Sequence, residues 1–236
     1  MKVYKTNEIK NIALIGNSGS GKTTLAEAML FECGLLRRRG TIDGGNTASD
    51  YFPVEKEYGY SVFPSVISYE WKDKLMNFID CPGSDDFVGG VVTALNVTDM
   101  ALMLIDATSG VEVGTINQFR YADALKKPVV LLVNHMDHEK ADYDNTLASL
   151  KEVYGNKITP VQYPIGNGTT FNGIIDVLKQ KYYHWEPGDT APQILDIPES
   201  EKERAGDYYQ VLLEAAAEND EGLMETFFDQ GTLSAE

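Results

Sequence analysis

Strand-length apolar runs alternate with helical patterns from the start of the chain to about residue 160. Asn11-Ile12-Ala13-Leu14-Ile15 is such a run, and Thr24 to Phe31 after it carries the spacing of an amphipathic helix. Met76 to Asp80 reads as a strand that ends in an acid. Ala101 to Asp106 and Val129 to Asn134 are continuously apolar up to a polar last residue, as strands covered on both faces are. This alternation predicts an α/β fold, with a mainly parallel sheet and helices on both faces. In open sheets of this kind, ligands gather at the C-terminal ends of the strands. Arg37 to Pro64 has few element signals and many Gly, Asp, Thr and Tyr, and is expected to be a long irregular loop.

After Tyr154 the texture changes. Gly155, Asn156 and Pro160 punctuate the chain, and strand-like pieces follow at 158–163, 173–177 and 182–185. Pro198 opens a helical pattern that runs to about Glu218, with early acids suited to the positive end of the helix dipole. Asp220 to Phe228 reads as a further short helix. The expected division is a core at 1–157 and an inserted α+β subdomain at 158–236.

Gly16-Asn17-Ser18-Gly19-Ser20-Gly21-Lys22-Thr23 sits between the first strand and the first helix and fits the phosphate-binding loop without a mismatch. Its glycines let backbone N–H groups turn toward phosphate oxygens, and the helix N-terminus adds partial positive charge. Lys22 is placed for the β- and γ-phosphates, the Thr23 hydroxyl for Mg²⁺, and Thr24 belongs to the expected nucleotide-binding set. The fold expectation thereby narrows to a P-loop NTPase.

Composition removes other classes. A formal charge of −16 argues against gripping nucleic acid through this surface alone. From Glu186 onward fourteen acids face only Lys202 and Arg204, which marks a solvated acidic surface or a protein-docking face. No apolar run approaches the ~18 residues of a membrane span. The N-terminus lacks the apolar segment of a signal peptide, and two cysteines, Cys33 and Cys81, are too few for a disulfide scaffold, so a cytoplasmic setting is expected.

Two further motifs refine the chemistry. Asp80-Cys81-Pro82-Gly83 fits D-x-P-G after a strand: the acid can hold Mg²⁺ through water, and the Gly83 N–H can approach a γ-phosphate. Asn134-His135-Met136-Asp137 resembles the N-K-x-D element of GTPases with His135 in place of lysine. A carboxylate at Asp137 can accept from the ring N–H and the exocyclic amino group of guanine, a donor pair that adenine lacks. His135 can lie flat against the base where the lysine stem would.

With these motifs in order, the chain resembles the translational GTPases, elongation factor G in particular, over nearly its whole length. Asn77 to Phe87 looks like the family's N-I-I-D-T-P-G-H-V-D-F, and Asp106 to Val111 like its D-A-V-x-G-V. Pro164-Ile165-Gly166, Gly173 to Asp176 and Leu213 to Glu218 look like the insertion that elongation factor G has and elongation factor Tu lacks. The resemblance implies GTP and GDP as ligands with Mg²⁺, held at Thr23, Asp80 and Ser61. It implies the ribosome as partner, with docking at its factor-binding centre and its stalk protein on the acidic insertion. Contacts to rRNA would come mainly from domains outside this chain. The expected state is a monomer without a membrane. No Ser-Ala loop for the guanine O6 is found between 186 and 236, so the resemblance also implies a last strand and helix beyond this chain.

The departures from the family cluster on hydrolysis. Ser84 stands where the family has its water-orienting histidine. Tyr58 and Tyr60 replace an arginine and the isoleucine of a hydrophobic gate, Ser18 the gate's other apolar residue, and Gly19 an aspartate. Ser61 keeps a hydroxyl where the family has threonine. Groups that position water contribute about 10²–10⁴ in rate, or roughly 3–5 kcal/mol. Binding is therefore expected to survive better than hydrolysis. The alternatives are a working GTPase in which Asp85 or the ribosome positions the water, and a small-molecule kinase, against which the second and third motifs speak. His135 and His138 lack the further ligands of a zinc site. Tyr182, Tyr183 and Trp185 are more consistent with packing than with base stacking.

Overall fold

The computed structural model describes residues 2–218 and 221–230. It divides into two compact units, one up to His135 and one from Met136 onward. The first unit holds β1 (Ile9–Gly16), α1 (Lys22–Glu32), α2 (Pro53–Tyr58), β2 (Ser65–Trp71), β3 (Lys74–Asp80), α3 (Val88–Val97), β4 (Met100–Asp106), α4 (Val113–Ala124) and β5 (Val129–Asn134). Its sheet has the order β2-β3-β1-β4-β5. Every pairing is parallel except that of β2 with β3. The expected α/β fold with a mainly parallel sheet is what forms.

The apolar runs explain the order. β1 lies between β3 and β4 and buries Ala13, Leu14 and Ile15 completely. Ile12 and Leu14 share one cluster with Ala26 and Leu30 of α1 and with Ile67, Tyr69 and Phe78 of the neighbouring strands. Tyr69 stacks on Phe78 at 5.6 Å, and burial pushes its phenol up to about 12. On β1 the alternate positions Ala13 and Ile15 are equally covered, and α3 and α4 pack against this strand. The β2–β3 hairpin turns through Lys72 and Asp73, both at positive φ (46° and 63°). Two positive φ values match the twist of the flanking strands, although neither residue is glycine.

Arg37 to Pro64 is not irregular throughout. Pro53 takes the first turn of α2 and Gly59 ends it at φ 70°. These are the positions where proline and glycine suit a helix, so a signal was present in the sequence.

The second unit holds α5 (Tyr143–Tyr154), β6 (Gln162–Ile165), β7 (Gly173–Asp176), β8 (Lys181–His184), β9 (Gln193–Leu195), α6 (Lys202–Ala217) and α7 (Glu221–Gln230). Its strands form one antiparallel sheet, β6-β7-β8-β9. The first strand starts later than its apolar run, after Pro160, which has no N–H for a ladder. β9 is three exposed residues, too short to show a period. The long helix starts at Lys202 after a 3₁₀ turn at Glu199–Glu201, rather than at Pro198. It buries Ala205, Leu213 and Ala217 along one stripe. The last expected helix forms as α7; Asp220 lies outside the described residues. The Arg204 guanidinium stands 4.7 Å from the Tyr163 ring and 5.5 Å from the Tyr208 ring, and pairs with Asp144. No described helix is long and apolar enough to cross a membrane.

Candidate functional site

The phosphate-binding loop runs from the end of β1 to the start of α1. Gly16 has φ 136°, and a Cβ there would lie 2.4 Å from the Leu104 carbonyl oxygen. Gly21 has φ 94°, and a Cβ there would lie 2.3 Å from Asn134 Nδ2. Both places favour glycine by conformation, and at Gly16 the backbone of β4 also leaves no space for a side chain. Asn134 Nδ2 donates to the Ser20 carbonyl at 2.9 Å, which ties the end of β5 to the loop. The Ser20 hydroxyl is buried without a hydrogen-bond partner.

Lys22 is almost fully buried. Its Nζ donates to the carbonyls of Gly16 and Asn17, each at 2.9 Å. Burial lowers its pKa, against the opposing pull of Asp80. The Gly83 backbone closes on this ammonium: a Cβ on Gly83 would lie 2.6 Å from Lys22 Nζ and 2.7 Å from the Ser18 backbone. Phosphate loop, lysine and D-x-P-G segment thus meet at one point.

Beside them is a cluster of oxygens. Asp80 Oδ2 accepts from Thr23 Oγ1 at 2.9 Å and from Ser49 Oγ at 2.7 Å, and Thr23 and Ser61 hydroxyls are 3.3 Å apart. Asp80 Oδ1 is buried and has no partner. Burial pushes the Asp80 carboxyl up to about 6, despite the two hydroxyls and Lys22. Burial also raises Asp50, which is hydrogen-bonded to Ser61. An unpartnered carboxylate oxygen among hydroxyls suits Mg²⁺, which takes one or two carboxylates and completes its shell with phosphate and water. The expected set Thr23, Ser61 and Asp80 is gathered. Ser49 and Asp50 join it, and as a Ser-Asp pair in an irregular loop they carried no sequence signal for that role. Cys81 and Pro82 are buried, and the desolvated Cys81 thiol is pushed up out of reactive range. Thr24 is exposed on the first turn of α1.

A cavity of about 380 Å³ adjoins Gly83, lined by Asn17, Ser18, Tyr60, Gly83, Ser84 and Asp85. Three of the departures from the family pattern, Ser18, Tyr60 and Ser84, lie on this wall. The Ser84 hydroxyl accepts from the Asp86 N–H at 3.3 Å and caps the 3₁₀ turn Asp85–Phe87. Asp85 accepts from Asn117 Nδ2 at 3.0 Å. The Tyr60 ring lies between Tyr58 and Phe87, at 6.0 and 6.3 Å.

At the third motif His135 adopts φ 60°, and its Nδ1 is 2.9 Å from Asp106 Oδ2. Burial works upward on Asp106, but hydrogen bonds from Thr108 and His135 outweigh it and hold its carboxyl below the ordinary value. His135 Nε2 lies 3.2 Å from where a Cβ on Gly21 would be, so this imidazole covers the phosphate loop's last turn. Met136 and Asp137 belong to the second unit. There Met136 is buried, its carbonyl accepts from the Gly168 N–H at 2.8 Å, and Asp137 is exposed in the following turn. Of the other histidines, His138 Nδ1 accepts from the Lys140 N–H, and His184 is engaged by the Tyr182 hydroxyl at 2.8 Å and Glu186 at 3.0 Å.

A further functional candidate went unseen in the sequence. Gln118 on α4 is fully buried, accepts from the Gly16 N–H at 2.6 Å and donates to the Gly16 carbonyl at 3.2 Å. A glutamine inside a helical pattern gives no sign of a partner 102 residues away.

Fold and site together define a P-loop nucleotide-binding domain. The family model of the elongation factor Tu GTP binding domain matches residues 7–229, and the chain belongs to that family. It is similar to an elongation factor G-like protein of Thermotoga maritima, at 39% identity over 94% of this chain and 31% of that protein. It is also similar to elongation factor G of Granulibacter bethesdensis, at 34% identity over 99% of this chain and 34% of that one. A crystal structure of a Thermus thermophilus protein superposes with a TM-score of 0.87 at 36% identity, covering 94% of this chain and 33% of its own. The chain therefore spans about a third of the length of the relatives it matches.

Proposed function

We propose that the chain is the GTP-binding domain of an elongation factor G-like translation factor that acts on the ribosome by binding GTP, with hydrolysis slow or lost. Residues 1–157 form the nucleotide core in this reading, and 158–236 the insertion on which a ribosomal stalk protein docks. The observation that carries it is the contrast within one site. Lys22, Gly83 and the Asp80 oxygens converge where phosphates and Mg²⁺ would sit, whereas the cavity beside them has Ser84 in place of an imidazole.

The loop amides from Gly16 to Thr23 and the Lys22 ammonium bind the phosphates. Thr23, Ser61 and Asp80 would hold Mg²⁺, which would supply positive charge to offset that of the phosphates. Asn134 braces the loop, His135 lies beside the base, and Asp137 reads guanine. Ser84 has a short side chain already engaged with the Asp86 N–H, so it is poorly suited to orient an attacking water. A second reading, an active ribosome-stimulated GTPase, is favoured by Asp85, a carboxylate on the same cavity wall and held by Asn117.

The test is phosphate release from GTP by the whole factor, with and without vacant ribosomes, beside a Ser84→His variant. Stimulated release gained only by the variant supports loss of hydrolysis through Ser84. Stimulated release by the parent overturns it in favour of Asp85 or another group. ATP bound in preference to GTP would overturn both readings.

A further inference from the structure

The carboxamide of Gln118 occupies an unusual position for a group with no part in the proposed binding set. Its Oε1 accepts from the Gly16 N–H at 2.6 Å. Its Nε2 donates to the Gly16 carbonyl at 3.2 Å and reaches the Gly83 carbonyl at 3.5 Å. One buried side chain thus touches the first glycine of the phosphate loop and the glycine of D-x-P-G. The rest of α4 keeps it there. A Cβ on Gly114, one turn earlier, would lie 2.2 Å from Asn17 Oδ1, so α4 approaches the loop closely enough here that a larger residue would displace the Asn17 side chain. Asn117, the next residue back, holds Asp85 at 3.0 Å, two residues beyond Gly83.

The Gly16 carbonyl also accepts from Lys22 Nζ at 2.9 Å, so it has two donors, the lysine and Gln118. To the extent that Lys22 is drawn toward phosphate oxygens, its bond to this buried carbonyl would weaken. An abandoned buried acceptor is costly, and a remaining donor removes most of that cost. At Gly83 the effect is conformational. Glycine has free ψ, and a donor on its carbonyl restricts that freedom and so fixes the backbone that faces the end of the phosphate chain.

We propose that Gln118 is a positioning residue for the terminal phosphate. It keeps the Gly16 carbonyl satisfied when Lys22 is drawn to nucleotide, and it holds Gly83 against the phosphate loop, so that the domain distinguishes a nucleoside triphosphate from a diphosphate. This rests on the guanine-nucleotide reading above. The Lys22 part acts on both nucleotides, and the Gly83 part only on the one with a third phosphate.

The experiment measures affinities of this chain, with Mg²⁺, for GDP and for the non-hydrolysable guanylyl imidodiphosphate, in the parent and in Gln118→Met. Methionine has similar length and volume and offers neither the donor nor the strong acceptor. Losing one net hydrogen bond that only the triphosphate state uses should shift the triphosphate-to-diphosphate affinity ratio about five- to tenfold toward the diphosphate. Gln118→Asn, which stays polar but retracts the amide by one methylene, should shift it the same way and carries the test if the methionine variant does not fold, as read by its melting curve without nucleotide. Equal loss for both nucleotides, or an unchanged ratio, overturns the proposal and leaves the guanine-nucleotide reading standing. Failure of the parent to bind either nucleotide overturns that reading and this proposal with it.

Discussion

The two halves of the candidate site are built differently. On the phosphate side polar groups are buried and their partners come from distant parts of the chain: Asn134 on Ser20, Gln118 on Gly16, Ser49 and Thr23 on Asp80. On the hydrolytic side the groups are half-buried or exposed, and Ser84 is spent locally on Asp86. Buried polar groups are sustained only when each has a partner or a ligand to receive. Two buried oxygens of the site without a partner, Ser20 Oγ and Asp80 Oδ1, lie on the phosphate side. The difference is what supports the proposed reading, in which the site receives an anion and a cation and is less suited to aim a water.

The comparison can be broken most sharply at Lys22. Lys22→Met removes the buried ammonium and with it the charge-assisted bonds to phosphate. GTP affinity should fall by about 10²–10⁴, read by titration with a fluorescent nucleotide. A fall of less than about threefold would show that the phosphates lie elsewhere. On the other half, Ser84→His should leave nucleotide affinity nearly unchanged. It should raise ribosome-stimulated phosphate release by about 10²–10⁴. If release is unchanged, the tyrosines at 58 and 60 also block the water, and Tyr60→Ile is the next change.

Asp80 gives a smaller effect with a definite sign. Burial pushes its carboxyl up to about 6 from an ordinary 3.8. A carboxyl raised on folding contributes stability that is fully present below its unfolded pKa and lost as pH rises through the folded one. In metal-free, nucleotide-free buffer the chain should therefore lose about 2 kcal/mol of stability between pH 4 and pH 7 from this group. Urea melts at the two pH values measure this. Asp80→Asn should remove the step, and Mg²⁺ with GTP should reverse it in the parent. The smallest change is expected at the base. His135→Lys restores the residue of the family pattern and frees Asp106 from the imidazole. It should change GTP affinity by no more than about fivefold, or ~1 kcal/mol, with GDP following, as competition binding would show.

The loop from Arg37 to Pro64 shows why part of the site was illegible. Glu27 accepts from the Gly40 and Ala48 N–H groups, and Glu55 from those of Phe52, Val62 and Phe63. Two buried carboxylates pin this long loop so that Ser49, Asp50 and Ser61 face Asp80. In the sequence Glu27 is one more polar position on a helix and Glu55 one more acid in a polar stretch.

The sequence by itself determined what depends on local backbone chemistry. The apolar runs set the strands, and glycine at positions 16 and 21 set a loop that only glycine can turn. The order of phosphate loop, D-x-P-G and N-x-x-D set the family. Tertiary structure decided which side chains from distant elements share the site: Gln118 beneath Gly16, Ser49 and Asp50 beside Asp80, Tyr60 against Phe87. Such partners are chosen by which buried polar groups must be satisfied once the sheet has closed. That need arises only in the packed protein, where water is no longer available to them.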